Sequence, residues 1–268
     1  MRIAVCIKQV PDSAGVGIDP DTHTLKRSTV GTMLNPFDEF AVETALLLRD
    51  RLGGHVTALT MGPKRAEETL ARAIAMGADN AILLSDAEFA GSDTWATASV
   101  IADALRKAVE PDLILFGKQA VDGDTAQVGP EVATILDWPQ ATYVSSILWD
   151  KCSNDRITVV RSLEDRKETV ELKLPAMLGV LRSVAEPRFG TLEGRIRHLT
   201  GGTVRTLTAK DLGIAPGTAG LKGSPTRVVT MSTPEFSRGN LRLDGTPKEQ
   251  SAKLVRIIRE KCQGATKS

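Results

Sequence analysis

The sequence predicts an α/β protein, specifically a doubly wound open parallel sheet. Three observations predict it: short apolar runs without polar alternation, helical spacing between those runs, and the regular order in which the two alternate. Near-continuous apolar strands suit a parallel sheet covered by helices on both faces.

The first run, "RIAVCIKQV" (2–10), is short, apolar and bounded by Pro11, so it reads as a buried strand. "HVTALTMG" (55–62), "NAILLSD" (80–86) and "DLILFGK" (112–118) share its character. Helical patterns lie between them. "FDEFAVETALLLRDRLG" (37–53) places Phe40, Ala41, Ala45, Leu48 and Leu52 at three- or four-residue spacings, with Gly53 as a stop. "KRAEETLARAIAMGAD" (64–79) repeats the device with Gly77. "SDTWATASVIADALRKAV" (92–109) opens on Ser92 or Asp93 as N-cap. The rhythm then changes. "RITVVRSL" and "ETVELKLP", separated by "EDRK", read as a β-hairpin insertion, and "AMLGVLRS" (176–183) as a further strand. Beyond Pro187 the chain is rich in Gly, Pro, Thr and Arg until "KEQSAKLVRIIREKC", a terminal helix. A weakly periodic stretch of this length is too long for an ordinary loop. It is either an arm that packs on another subunit or a mobile tail. The expected division is an α/β domain over 1–200 and a C-terminal arm over 201–268.

Bulk properties exclude several function classes. The 268 residues carry 34 basic and 33 acidic side chains, so no global field favours nucleic acid or an anionic membrane. The three cysteines, Cys6, Cys152 and Cys262, are far apart and form no CxxC pair, against a disulfide framework or zinc site. No run approaches ~20 apolar residues, and the N-terminus starts directly on a strand, so neither a membrane span nor a signal peptide is expected. The expectation is a soluble cytoplasmic protein.

Ligands of open α/β sheets bind beyond the carboxyl ends of the strands, where strand order reverses. The segments that can meet there are Cys6 to Gln9, "LNPFD" (34–38), "TMGP" (60–63) and "GKQAVDGDTAQVGP" (117–130). In the last, Gly117 and Gly123 permit tight turns and close backbone approach. Asp124 or Thr125 can cap the next helix. Its first turn, near Thr125–Val128, offers backbone N–H groups and the positive dipole end to an anion. Asp122 can then accept from ribose hydroxyls; alternatively both aspartates only order a turn. There is no GxxxxGK[ST], no GxGxxG after the first strand and no GxSxG. His23, His55 and His198 lie at unrelated positions, and no metal or triad constellation emerges. A cleft without an evident acid, base or nucleophile favours a cofactor holder over a hydrolase. A second segment, "VLRSVAEPRFGTLEGRIRH" (180–198), sets Leu192 among charged residues. It reads as a solvated loop or as a docking loop with an apolar anchor.

"VCIKQVPD", "NPFDEFAVE", "MGP", "AMGAD", "GKQAVDGDTAQVGP", "DWPQ", "LKLPA" and "EPRFGTL" occur in the order typical of the electron transfer flavoprotein beta subunit, which the chain resembles to about residue 200. The resemblance implies an adenine-nucleotide hydrolase-like fold without hydrolase activity. It also implies a heterodimer with an alpha subunit that carries a redox FAD, and a C-terminal region that reaches over that subunit. Members hold AMP or a second FAD in the beta cleft. Carried over by position, the nucleotide would meet Cys6, Asn35, Pro36, Phe37, Asp38 and Met61. From the long loop it would meet Gly117, Lys118, Gln119, Ala120, Val121, Asp122, Gly123, Asp124, Thr125, Ala126, Gln127 and Val128. Leu192 falls where the family places the leucine that docks into acyl-CoA dehydrogenases, within a recognition loop of about 183–198.

"DGDTAQVG" resembles the electron-bifurcating, FAD-binding subgroup, whereas the AMP-binding form is similar to "DDDCNQTG". "SDTWATA" (92–98) resembles the bifurcating type too, and implies that the Thr94 and Thr97 hydroxyls hydrogen-bond the flavin ring. The implied reaction takes electrons from NADH and divides them between an acyl-CoA dehydrogenase-type partner and ferredoxin or flavodoxin. Two alternatives remain: a non-bifurcating carrier that holds AMP and serves a membrane quinone reductase, and a redox-silent nucleotide-binding regulator. The chain departs from the pattern in three places. "LDWPQ" is similar to the AMP-binding form. Ser162 stands where many relatives carry a carboxylate, and Arg195 and Arg197 replace lysines common in mitochondrial relatives.

Overall fold

The computed structural model describes residues 1–12, 31–230 and 241–265. It divides into two compact units, Met1–Val229 and Thr230–Ser268.

The first unit is built on nine strands. In chain order they are β1 (Arg2–Cys6), β4 (His55–Met61), β5 (Asn80–Leu84), β6 (Leu113–Gly117), β7 (Gln140–Ile147), β8 (Arg156–Ser162), β9 (Lys167–Lys173), β10 (Ala176–Val180) and β11 (Val204–Leu207). A separate antiparallel pair joins β2 (Gln9–Pro11) to β3 (Thr32–Leu34). The large sheet runs β11-β5-β4-β1-β6-β10-β7-β8-β9. All pairings from β11 to β7 are parallel; β7-β8 and β8-β9 are antiparallel. From β1 the chain builds outward through β4 and β5, then returns to place β6 on the other side of β1. Strand order therefore reverses between β1 and β6, where Cys6 pairs with Phe116.

Alternation along β1 divides the core in two, because successive side chains point to opposite faces. Ile3 and Val5 join one cluster with Ala41, Ala45 and Leu48 of α1 (Pro36–Leu52) and Leu70, Ala73 and Ile74 of α2 (Glu67–Met76). Ala4 and Cys6 join the other with Ala98 and Ile101 of α3 (Thr94–Ala104) and Val132 and Leu136 of α4 (Val128–Leu136). Each fully buried Leu or Ile contributes about 1.5–3 kcal/mol of transfer free energy, so both helical layers are held by the sheet they cover.

Local signals set the helix ends. Pro36 occupies the first turn of α1, where its missing N–H costs nothing. Gly77 ends α2 at φ 128°. Asp93 caps α3, accepting from Ala96 N at 2.9 Å. The predicted helix over 92–109 is α3 followed by a π-helical turn, Leu105–Val109.

Three expectations are corrected. The first strand stops at Cys6, and Gln9–Pro11 leaves the sheet to pair with β3. The segment around Leu192 is not a loop: Leu192–Leu199 is a helix, α5, capped by Thr191, which accepts from Gly194 N at 3.0 Å. Residues 201–229 belong with the first compact unit, since β11 extends the sheet at β5 and Leu207, Ala209 and Leu212 enter its core. A short helix, α6 (Gly220–Gly223), lies in the same stretch. The second unit contains α7 (Pro247–Ala265), longer at its C-terminal end than predicted. At its start Glu249 reaches back to accept from Thr246 N at 2.8 Å and from Thr246 Oγ1 at 2.9 Å. Among the described residues no helix is long and apolar enough to cross a membrane.

Candidate functional site

A cleft of about 970 Å³ opens at the switch point between β1 and β6. Its floor includes Cys6 and Phe116. It is also lined by the loop after β6 and by the start of α3 with Thr94 and Thr97.

Asn35 fastens the loop. It is buried, and its Nδ2 donates to Gln119 O at 2.9 Å while its Oδ1 accepts from Val121 N at 3.2 Å. Asn35 N donates to Lys8 O at 2.9 Å, tying the same residue to the link between β1 and β2. Asp38, one turn into α1, is also buried and accepts from Lys8 N at 2.8 Å. Burial pushes its carboxyl up to about 7, against hydrogen bonds from Asn35, Lys8 and Gly117 that pull it down. Gly117 is required here: a Cβ would come within 2.6 Å of the Phe37 carbonyl carbon and would strike the Asp38 carboxylate. Burial, with the Asp38 charge, holds the Cys6 thiol well above its ordinary value, so Cys6 is packing and not a nucleophile.

Both carboxylates of the loop have partners within the chain, and Asp122 is neutralised by a lysine. Lys8 Nζ meets Asp122 Oδ1 at 2.7 Å, and Gln119 Nε2 donates to Asp124 Oδ1. Here the expected cap is corrected: neither Asp124 nor Thr125 caps the helix. Asp124 and Ala126 lie at φ 55°, a left-handed conformation that cannot propagate an α-helix. α4 starts only at Val128, with Gln127 at its N-cap and no side-chain hydrogen bond closing the end. The first-turn N–H groups are thus left to the cleft.

At the start of α3, Thr94 Oγ1 lies 3.1 Å from Glu131 Oε1 and 3.4 Å from Gln127 Oε1, linking α3 to the start of α4. Asp93 anchors this end of α3, accepting from Thr226 N at 2.9 Å and Thr226 Oγ1 at 2.7 Å. Burial would raise its carboxyl, but hydrogen bonds from Ala96, Thr226 and Ser224 hold it below the ordinary value.

Most sequence-predicted residues line this cleft: Cys6, Asn35, Asp38, Met61, Thr94, Thr97 and the loop 117–128 apart from Val121. Pro36, Phe37 and Val121 do not. Pro36 starts α1, the Phe37 backbone backs Gly117, and Val121 contributes its N–H to Asn35. Sequence reasoning missed Thr142, Tyr143, Met177 and Gly179, which line the cleft from β7 and β10. Tyr143 sits at φ 56° beside a bulge, with Lys118 Nζ 5.8 Å from its ring centre. The Arg161 guanidinium clamps the preceding residue, donating to Thr142 O at 2.9 Å.

Leu192 is not on the cleft. It is exposed at the first position of α5, with Phe189 and Leu199 exposed beside it in sequence. The segment is fixed at its base. Arg188 Nε lies 2.8 Å from the buried Glu43 carboxylate, and its Nη2 lies 3.0 Å from Asp50. Gly194 rests on the end of α2, where a Cβ would approach Ala75 Cα to 2.8 Å. Leu192, Ile196 and Leu199 recur at helical spacing, the signal that could have found α5. His55 opens β4 at the surface, where its Nε2 lies 2.9 Å from Asn80 Nδ2, and His23 lies outside the described residues.

Comparison with known proteins agrees with this architecture. Residues 22–212 match the electron transfer flavoprotein domain. The chain is 45% identical over 255 residues to the electron transfer flavoprotein subunit beta of Thermoanaerobacterium thermosaccharolyticum, covering 95% of this chain and 96% of the relative. It is 41% identical to the caffeyl-CoA reductase-Etf complex subunit CarD of Acetobacterium woodii, over 97% and 99% of the two chains. It is 43% identical to the acryloyl-CoA reductase electron transfer subunit gamma of Anaerotignum propionicum, again over 97% and 99%. The chain belongs to the electron transfer flavoprotein family, as a beta subunit.

Proposed function

We propose that the cleft holds FAD, and that the chain works with an electron transfer flavoprotein alpha subunit as one half of an electron-bifurcating heterodimer in the cytoplasm. The observation that carries this reading is the shared cleft. Thr94 and Thr97 face the same space of about 970 Å³ as the loop 117–128. That is the upper end of the range for small-molecule sites, more than a mononucleotide fills. The residues fit a nucleotide: the start of α4 carries no side-chain cap, so its first-turn N–H groups are open to an anion.

Bound FAD would supply the chemistry bifurcation needs, hydride acceptance from NADH and release of single electrons. The protein supplies position and charge. First-turn N–H groups of α4 hold phosphate oxygens. Asp122, oriented by Lys8, accepts from ribose hydroxyls. Asn35 holds the loop in place before the ligand arrives, and Thr94 and Thr97 hydrogen-bond the ring. Leu192 docks into the electron acceptor, an acyl-CoA dehydrogenase-type flavoprotein; the names of the caffeyl-CoA and acryloyl-CoA reductase relatives support that class. Ferredoxin or flavodoxin takes the low-potential electron.

The test is a nucleotide count on the purified two-subunit complex. Two FAD per heterodimer are expected. One FAD with one AMP would overturn the bifurcating reading in favour of the carrier that holds AMP. Failure to recover any larger flavoprotein with the chain would favour a redox-silent regulator.

A further inference from the structure

Glu131 lies behind the cleft wall, in the first turn of α4, between that helix and α3. A glutamate serving only the helix would face water, where the positive helix end already favours it. Glu131 instead turns inward. Its Oε1 is 3.1 Å from the hydroxyl of Thr94, and its Oε2 is buried with no hydrogen-bond partner among the described residues. Leaving a carboxylate oxygen in this state costs at least about 1–3 kcal/mol. Such a group calls for an explanation beyond helix stability.

Thr94 provides one. It has a single proton and two nearby acceptors, Glu131 Oε1 at 3.1 Å and Gln127 Oε1 at 3.4 Å. The carboxylate is nearer and charged, so it takes the proton. A threonine hydroxyl committed in this way can meet a ligand only as an acceptor. We propose that Glu131 is a positioning residue: by claiming the Thr94 proton it makes this wall of the cleft select a nucleotide group that donates, a ring N–H or a sugar hydroxyl. The inference rests on the nucleotide-binding reading of the cleft and adds the polarity of one of its contacts.

Protonation would reverse that polarity. With a proton on Oε1, Glu131 becomes the donor to Thr94, whose own proton is freed for Gln127 Oε1 or for the cleft, where it would face another donor. Burial raises the Glu131 carboxyl above its ordinary value, the Thr94 hydrogen bond opposes the rise, and the charge of Asp93 adds to it. Ligand affinity should therefore fall as the solution is acidified. Asp38 titrates in the same cleft, so the Glu131 contribution is the difference between wild type and Glu131→Gln.

The experiment uses the two-subunit complex stripped of cleft nucleotide. FAD and AMP are each titrated by calorimetry at about pH 8 and at successively lower pH toward the ordinary glutamate value of about 4.3. Glu131→Leu, which removes the acceptor, and Thr94→Val should each weaken the ligand about five- to tenfold at the higher pH, as expected for one hydrogen bond of about 1 kcal/mol. The double variant should be no weaker than the worse single one, because both remove the same contact. Thr94→Ser should restore binding, and wild type should lose more affinity on acidification than Glu131→Gln. Additive losses, a Glu131→Leu complex with wild-type affinity, or a Glu131→Gln complex with the wild-type pH profile would overturn the role of Glu131. A wild-type complex that takes up neither nucleotide would overturn the cleft reading itself.

Discussion

The cleft and the α5 segment satisfy their polar groups in the same way and their apolar groups in opposite ways. Around the cleft, Lys8, Asn35, Gln119 and Asp93 tie loop and helix ends to one another, so the walls stand without a ligand. α5 is tied down as firmly, through Arg188 to Glu43 and through Thr191 N to Ala75 O at 2.8 Å, yet Leu192 and Leu199 project into solvent. A preorganised cavity lowers the ordering cost of a small ligand. A rigid base under exposed apolar side chains serves a protein partner, since hot spots are apolar anchors presented on ordered backbone. The two regions thus differ in what they leave open: the cleft encloses its polar groups, and α5 leaves Leu192 and Leu199 uncovered.

Four substitutions would break or sharpen that contrast. Arg188→Ala should have the largest effect on stability. It leaves the Glu43 carboxylate buried and unpaired, and losing one partner of such a pair costs about 3–5 kcal/mol. Thermal unfolding should show the loss while the nucleotide content of the folded complex stays normal; depleted nucleotide would mean that the two regions are coupled. Gly117→Ala should cost about 1–3 kcal/mol through overpacking against Phe37 and Asp38. Unlike Arg188→Ala it should empty the cleft, which extraction of bound nucleotide would reveal.

Asp38→Asn tests the buried carboxyl. Because its folded value is raised, from 3.8 to about 7, the stability contributed by protonated Asp38 is fully present below the unfolded value. It is lost as the pH rises through about 7, with a slope of about 1.4 kcal/mol per pH unit. Denaturant titrations across that window should show this decline in wild type relative to Asp38→Asn. Parallel curves for the two proteins would count against a buried proton. Leu192→Ala should change stability least, within about 0.5 kcal/mol for an exposed site, while slowing electron delivery to the dehydrogenase. Stopped-flow kinetics with flavin content held constant would separate docking from folding, and an unchanged rate would remove Leu192 from the docking surface.

Legibility followed the range of the interactions. β1, β4, β5 and β6 are apolar runs whose burial is set by composition, and they were readable as such. β7 was not. Its buried residues, Ala141, Val144 and Ile147, fall three apart because the bulge near Tyr143 breaks the two-residue period. β11 is four residues long and sits in a polar stretch. The period of α5 was present, but Gly194 and the surrounding charges concealed it; the glycine is there for contact with Ala75, not for a loop.

The same division holds for the site. Sequence by itself determined several of the segments that line the cleft, because strand ends and glycine-bearing loops are local features and the strand–helix order dictates where they meet; it did not reach β7, β10 or residues 85–92. It also determined the family, through several motifs in order. Tertiary structure alone decided the chemistry of the walls. Left-handed Asp124 and Ala126 moved the start of α4, Lys8 neutralised Asp122, and α3 and α4 brought Glu131 onto Thr94. Hydrogen bonds and ion pairs join residues distant in the chain and depend on a few ångströms and one rotamer. Apolar periodicity records which face of an element is buried and carries no trace of those pairings.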